Sequence, residues 1–381
     1  MSFCKTLISV SIAATLTSTG VFAADLNSLQ KQIDELKAEN QQILASLEPS
    51  SDMSKEGHGS SGNTTIGGYG ELHYNNLSSD LNDTEKKEID FHRFVLFIGH
   101  EFNDNIRFFS EVELEHSIAG DGKNGEIELE QAYIEFDTGD NANIKAGLFL
   151  IPVGQINEIH EPPAFYGVER NPVEKNIIPA TWWEAGTMYS AYSESGISYD
   201  LAIHSGLSNN SGDVRKARQK VSNAPADSLA YTARIKYTGI AGLELASTIQ
   251  YQSDFSQGTG VAGDAEDGTL LEAHAAYTTG GLKVSALYAS WDINFDGGTT
   301  SGKDSQNGSV VEASYKVSSK WGVFARQNNW TNDDGATDKA QTDVGINYWP
   351  HEDVVFKADY QMQNDDAGDN DGFNLGVGYQ F

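Results

Sequence analysis

The sequence predicts an all-β fold: a 16-stranded antiparallel transmembrane β-barrel with an inward-folded third extracellular loop, preceded by a short α-helical coiled coil. Three observations predict it. From Thr64 to Phe381 apolar and polar residues alternate with period two. The run divides into sixteen segments of about twenty residues, ample for membrane strands of about 9–11 residues plus a connection. The connections alternate short and long, and every even segment carries an aromatic residue just before its short turn or the chain end.

Composition narrows the function classes. The 381 residues hold 25 Lys and Arg against 55 Asp and Glu, a net charge of −30. Nucleic-acid binding is disfavoured, because nothing here would displace counterions from a phosphate backbone. Mean hydropathy is −0.43, and the only long apolar run is N-terminal, which disfavours a helical membrane protein. The single cysteine, Cys4, leaves no disulfide framework and no Cys-based metal site.

Residues 1–23 read as a signal peptide. Lys5 precedes the apolar run Leu7 to Leu16, and Val21-Phe22-Ala23 is a cleavage signal. Cleavage after Ala23 removes Cys4, so the exported chain has no thiol. Residues 24–48 read as a periplasmic coiled-coil helix. Leu26, Leu29, Ile33, Leu36, Asn40, Ile43 and Leu47 are spaced 3, 4, 3, 4, 3, 4, and the polar Asn40 on the seam fixes register at some cost in stability. Three heptads are marginal alone, so the helix would reinforce a homo-oligomer already held by another surface. A lone amphipathic helix packed on its own domain is the alternative. Residues 49–63, rich in Ser and Gly, form a flexible linker.

Residues 64–381 form the barrel domain. Ile89, Leu270 and Val310 open the second, tenth and twelfth strands, and long polar loops follow the odd strands at 78–87, 117–125, 152–181, 206–227, 253–268, 294–308, 331–339 and 364–371. Phe102, Phe136, Tyr192, Tyr237, Tyr277, Tyr315, Tyr348 and Phe381 stand beside the short turns. A soluble sandwich also alternates, but it has no reason to gather aromatics at one end of alternate strands. A membrane interface does. An even strand count puts both chain ends on the short-turn, periplasmic side, and places the barrel in an outer membrane with lipid and lipopolysaccharide as its surroundings.

Sixteen strands enclose an aqueous channel. With apolar residues facing lipid, the basic lumen candidates are Arg93, Arg107, Lys145, Arg234, Lys236, Lys283, Lys316, Arg326 and Lys357. The acidic ones are Glu71, Glu111, Glu113, Glu115, Asp200, Glu244, Glu272, Glu312, Asp343 and Asp359. Phase is ambiguous in the second, fourth, sixth and thirteenth strands. The near balance leaves the acidic excess in the loops, as in Asp254, Asp264, Glu266 and Asp267, or Asp365, Asp366, Asp369 and Asp371. A mouth at negative potential would enrich cations within about 8–10 Å at physiological salt, above a wall with opposite charges on facing sides. The alternative is that these carboxylates are solvated, or bridge divalent ions between lipopolysaccharides.

The loop after the fifth strand holds five of the eight prolines, Pro152, Pro162, Pro163, Pro172 and Pro179, and is unusually apolar. Prolines shape a loop without backbone donors. A constriction folded into the channel is expected, with Glu158, His160, Glu161, Glu169, Arg170, Glu174 and Lys175 as its ionisable residues. A latch onto a neighbouring subunit is the alternative.

No enzyme is expected. His100 and His116 lie on separate strands, and His160-Glu161-Pro162-Pro163 lacks the second histidine of a metal-hydrolase helix. Asp369-Asn-Asp-Gly372 lacks the remainder of a calcium loop. No cofactor and no metal are implied. A non-conducting receptor or adhesin using the outer loops is the remaining class.

The stretch Gly147-Leu-Phe-Leu-Ile-Pro-Val-Gly-Gln-Ile-Asn157, with Ile178-Pro-Ala-Thr-Trp-Trp-Glu-Ala-Gly186 and Gln131-Ala-Tyr-Ile-Glu-Phe136, resembles the phosphate-selective porin O and P family. The resemblance implies a trimeric outer-membrane channel for passive diffusion of small hydrophilic solutes or ions, with an inward third loop. Gly378-Tyr-Gln-Phe381 is similar to the C-terminal signal read by the barrel-assembly machinery. The namesake channels guide anions with a ladder of arginines and a cluster of lysines. Here only four lumen arginines stand among ten carboxylates, and Arg215-Lys-Ala-Arg-Gln-Lys220 reads as one solvated charge run. An anion- or phosphate-selective channel is therefore the alternative to a weakly selective one.

Overall fold

A computed structural model describes residues 63–81, 84–259, 264–296 and 302–381. The signal peptide, the heptad helix with its seam from Leu26 to Leu47, and the linker through residue 62 lie outside the described residues.

Sixteen strands follow one another: β1 (Thr64–Ser79), β2 (Thr84–Asn103), β3 (Ile106–Glu115), β4 (Ile127–Gly139), β5 (Ala142–Leu150), β6 (Trp183–Tyr192), β7 (Ile197–His204) and β8 (Ala230–Tyr237). They continue as β9 (Leu243–Gln252), β10 (Ala265–Thr279), β11 (Leu282–Phe295), β12 (Ser305–Lys316), β13 (Trp321–Thr331), β14 (Lys339–His351), β15 (Val354–Gln363) and β16 (Asp371–Gln380). Each pairs antiparallel with its sequence neighbour, and β1 pairs with β16 from Tyr69↔Gln380 to Ser78↔Asp371, closing the sheet. Closure pairs every strand edge within the wall, the condition for placing a sheet in lipid.

The alternation has the sense the pattern predicts. Along β7, Ile197, Tyr199, Leu201 and Ile203 are 41–52% exposed, while Asp200, Ala202 and His204 are 1–7% exposed. An apolar outer surface repeated on strand after strand is a lipid-facing belt. Of the eight aromatics beside the short turns, Phe102, Phe136, Tyr192, Tyr277, Tyr315 and Phe381 are exposed. Tyr237 and Tyr348 are half-buried, Tyr348 lying between Trp321 and Phe356 with ring centroids 4.5 and 6.4 Å away.

Strand starts differ from expectation at three hairpins. β2 opens at Thr84, β10 at Ala265 and β12 at Ser305, each five residues before Ile89, Leu270 and Val310. The first long connection is thereby reduced to 80–83, because the ladder continues to Ser79↔Thr84. Beyond the hydrocarbon a hairpin stays hydrogen-bonded with polar side chains on both faces, as in Glu85-Lys-Lys-Glu88, so the period-two signal vanishes while the strand does not.

The inner face is not uniformly polar. Leu270, Leu287, Trp291, Ile293 and Val310 are buried in one cluster with Ile151, Val153, Val173, Ile177, Ile178 and Trp182 from the β5–β6 connection. Leu207, Val214 and Phe255 from the next two long connections join them. Burying a side chain of this size is worth about 1.5–3 kcal/mol, so this cluster anchors the connections to one side of the wall.

Candidate functional site

The β5–β6 connection (151–182) is held at its root by Asn157. Its Nδ2 donates to the carbonyls of Ile151 and Trp182 at 2.8 and 2.9 Å, and its Oδ1 accepts Trp182 N–H at 2.7 Å. Further along, Glu174 accepts from Gln155 N, Ile156 N and Asn171 Nδ2 at 2.6, 2.9 and 2.7 Å. Burial pushes the Glu174 carboxyl above its ordinary range, against these donors. Glu174 is 1% exposed. It therefore organises the connection from within and presents no charge to an open channel.

Outside itself, the connection bonds to strands all around the sheet. Thr248 on β9 donates to Pro152 O at 3.1 Å, and Trp291 on β11 donates to Ile177 O at 2.9 Å. Lys357 on β15 donates to Gly167 O at 2.8 Å, and Asp359 accepts Val168 N–H at 2.6 Å. Arg326 on β13 donates to Glu169 O at 3.2 Å, and His73 on β1 lies 3.1 Å from Glu169 Oε1. Glu158 pairs with Arg234 on β8.

His160 Nε2 stands 3.4 Å from Glu111 on β3 and 3.6 Å from Glu130 on β4, all three nearly inaccessible. Burial alone would lower the imidazole's pKa, but its two carboxylate neighbours lift it well above the ordinary histidine value.

Glycines mark where this connection meets the wall. A Cβ at Gly378 would lie 2.2 Å from Pro162 Cβ, one at Gly322 2.3 Å from Tyr166 Oη, and one at Gly308 2.9 Å from Val173. These inward glycines were a legible signal that the alternation reading left unused.

Several of the other sequence-predicted residues fall into local ion pairs, mostly between neighbouring strands. Arg93 Nε lies 2.7 Å from Glu71 and 4.0 Å from Glu113. Arg107 donates to Glu135 and Asp137, Lys145 lies 3.9 Å from Glu135, and Arg234 lies 2.8 Å from Asp200. Arg326 lies 3.0 Å from Asp343 and 3.7 Å from Glu312, and Glu244 and Glu272 flank His274 at 3.3 and 2.7 Å. Where these charges pair, they do so within a strand or with its neighbour. Lys236 and Glu115 are half-buried, while Lys283 and Lys316 are exposed, Lys316 standing 5.0 Å over the Trp349 ring. Glu161 and Arg170 are half-buried, Arg170 donating to Thr181, and Lys175 is exposed.

A cavity of about 810 Å³ opens between this connection, the wall of β1–β4 and the longer loops. Its lining counts eight Lys or Arg against eight Asp or Glu, so this cavity is mixed in charge. Four of the loop acids accept backbone amides: Asp254 from Ser256 N and Gly258 N, Asp366 from Asp338 N, Asp369 from Asp80 N and Asp371 from Gln363 N. The basic run 215–220 is not freely solvated. Arg215 donates to the carbonyls of Lys175 and Ala180 at 2.7 and 3.0 Å, and Arg218 to that of Thr181 at 2.6 Å. Burial and the nearby Arg218 bring Arg215 down to about 10, leaving it charged at neutral pH.

The model of the phosphate-selective porin O and P family matches residues 66–381. The chain belongs to that family. An uncharacterised protein of Aquifex aeolicus (strain VF5) is 30% identical over 365 residues, spanning 83% of this chain and 80% of the relative. Two solved outer-membrane proteins share the fold at low identity. The trimer form of OmpT, an outer membrane protein of Vibrio cholerae, is 12% identical with a TM-score of 0.55, over 84% of this chain and 100% of that one. An anion-selective porin from Comamonas acidovorans is 11% identical with a TM-score of 0.59, over 84% and 99%. This porin is an outer-membrane diffusion channel.

Proposed function

We propose that small hydrophilic solutes and ions cross this porin passively beside the β5–β6 connection, which acts as its inward-folded constriction. The observation that carries the reading is the set of hydrogen bonds from 151–182 to β1, β9, β11, β13 and β15. Bonds to strands around a closed sheet support a connection that crosses the space the sheet encloses. Local pairing of wall charges, with equal numbers of each sign at the cavity, supports weak selectivity. Family and fold support a channel rather than an enzyme. The heptad spacing of residues 26–47, and the trimeric form of a fold relative, support a trimer with its N-terminal helix in the periplasm. Lipopolysaccharide around the barrel and recognition of Gly378–Phe381 by the assembly machinery belong to the same reading.

A second reading, anion selectivity, is favoured by one observation: Arg170, Lys175, Arg215, Arg218 and Lys220 all line the cavity. The reversal potential of purified protein in a planar bilayer under a salt gradient decides. A permeability ratio near one supports weak selectivity. Strong anion preference, deepened when phosphate or dicarboxylates replace chloride, would replace it with the second reading. Liposomes that do not swell in small sugars or salts would sink both.

A further inference from the structure

One group of cavity residues is not needed to seat the β5–β6 connection. Asp90 Oδ2 lies 3.2 Å from His92 Nδ1 and 2.8 Å from His116 Nδ1. Two imidazole nitrogens thus converge on one carboxylate oxygen, and all three donor atoms lie within 4.8 Å of one another. His73 stacks on His92 with ring centroids 4.7 Å apart, next to Glu169. We infer that Asp90, His92 and His116 form a binding site for a divalent transition-metal ion of the zinc class, open to the cavity on its remaining side.

The geometry suits such an ion. Zinc bonds imidazole nitrogen and carboxylate oxygen at about 2.0–2.1 Å in a tetrahedron, which sets neighbouring donors roughly 3.3 Å apart. The Asp90–His92 separation of 3.2 Å is close to that and the Asp90–His116 separation of 2.8 Å is shorter, so a modest outward movement of side chains is needed. Imidazole with carboxylate favours zinc, copper or nickel over magnesium or calcium. Three protein donors and an open position match the arrangement in which a metal can also take water or a passing solute.

The backbone is arranged to bring these donors together. The β1–β2 ladder slips between Glu71↔Arg93 and His73↔Asp90, so β2 spends an extra residue there. Such a bulge re-aims side chains, and this one allows Asp90, His92 and Arg93 all to line the cavity. His116 closes the group from the end of β3, where its amide donates to His92 O at 3.2 Å. It holds φ at +52°, a conformation uncommon for a residue with a Cβ and one that often marks a functional position. The ligand side chains remain 21–37% accessible, so an ion reaches them from the cavity. By contrast the Glu111–Glu130–His160 group is sealed and already serves as a tether, and His351, Glu352 and Asp353 are consecutive residues at an exposed short turn.

Asp90 and His92 lie on β2 and His116 directly follows β3, so no short spacing motif announces the full set. An ion there would add positive charge at the channel mouth and reduce current reversibly. Calorimetric titration of untagged, full-length protein with Zn2+ should reveal a site that is retained in His351→Ala. In His92→Gln and in His116→Asn, which keeps a residue tolerant of positive φ, affinity should fall about a hundredfold or more, beyond the 10–100-fold typical of losing an outer-shell partner. Zinc-edge X-ray absorption on the loaded native protein supplies a readout independent of variant folding, with two imidazoles expected in the first shell. No zinc binding by the native protein, affinity unchanged in both histidine variants, or a first shell without imidazole would each overturn the assignment.

Discussion

Lys357 on β15 donates a 2.8 Å hydrogen bond to the carbonyl of Gly167, a residue 190 positions earlier in the chain. The same ammonium sits 3.6 Å from the Phe165 ring centre, and Asp359 accepts the next amide, that of Val168. A cation and a carboxylate on β15 thus grip three of four consecutive residues of the connection, Phe165, Gly167 and Val168. The grip depends on the carboxylate, because Val168 is buried and has no water to replace it.

Replacing Asp359 with alanine should therefore loosen the connection without opening the barrel. A hydrogen bond to a charged acceptor is worth about 1.5–3 kcal/mol when its partner is left stranded. The expected outcome is noisier single-channel current and faster proteolytic cleavage within 151–182, with unchanged heat-modifiable mobility of the barrel. Quiet, wild-type current in Asp359→Ala would show that this contact does not seat the connection.

The His160 tether should respond to alkaline pH. Its folded pKa is raised, so the stabilisation is complete below the unfolded histidine value of about 6.5 and fades as pH climbs through the raised folded value. Open-channel noise should be constant from mildly acidic to neutral conditions and grow toward alkaline pH. His160→Asn should be noisy at all pH values and lack that dependence. An identical alkaline transition in the variant would assign it to another group.

Crowding at Gly378 offers a steric test. Alanine there would place a carbon 2.2 Å from Pro162 Cβ, so the Pro162–Ala164 turn must move, at a cost of about 1–3 kcal/mol. Conductance should change and thermal stability fall. Gly139→Ala, where no atom lies within 4 Å, should leave both alone. Equal behaviour of the two variants would mean that the turn yields freely.

The strands were readable because lipid imposes period two on every segment it touches. The interior was less so. Leu270, Trp291 and Ile293 are apolar and inward, under the β5–β6 connection, and an apolar residue there looks like one facing lipid until the register is known. Arg93 and Arg326 were ambiguous for the same reason, and the β1–β2 bulge accounts for the first: one extra residue inverts the phase of everything beyond it. The partners of His160 come from β3 and β4, which no linear pattern could connect. The acidic loops show a structural role the composition does not announce: Asp254, Asp366, Asp369 and Asp371 accept backbone amides that fix the loops.

Removing residues 25–48 should leave monomer folding intact and lower the temperature at which detergent-resistant oligomers separate. Seminative gels of the truncated and full-length proteins across a temperature ramp measure this. Coincident separation temperatures would mean that the heptad segment adds nothing to association.

The amide and carbonyl of Phe381 both bond to Gly68, each at 2.9 Å, so the last residue of the chain is stitched to the start of the first strand. Asn75 and Asn374, 299 positions apart, continue the same seam. A ribosome must release the whole polypeptide before this cylinder can shut, and a product lacking its final strand keeps two raw borders in search of partners. Closure is therefore all or nothing: until β16 meets β1, the wall cannot be completed at all.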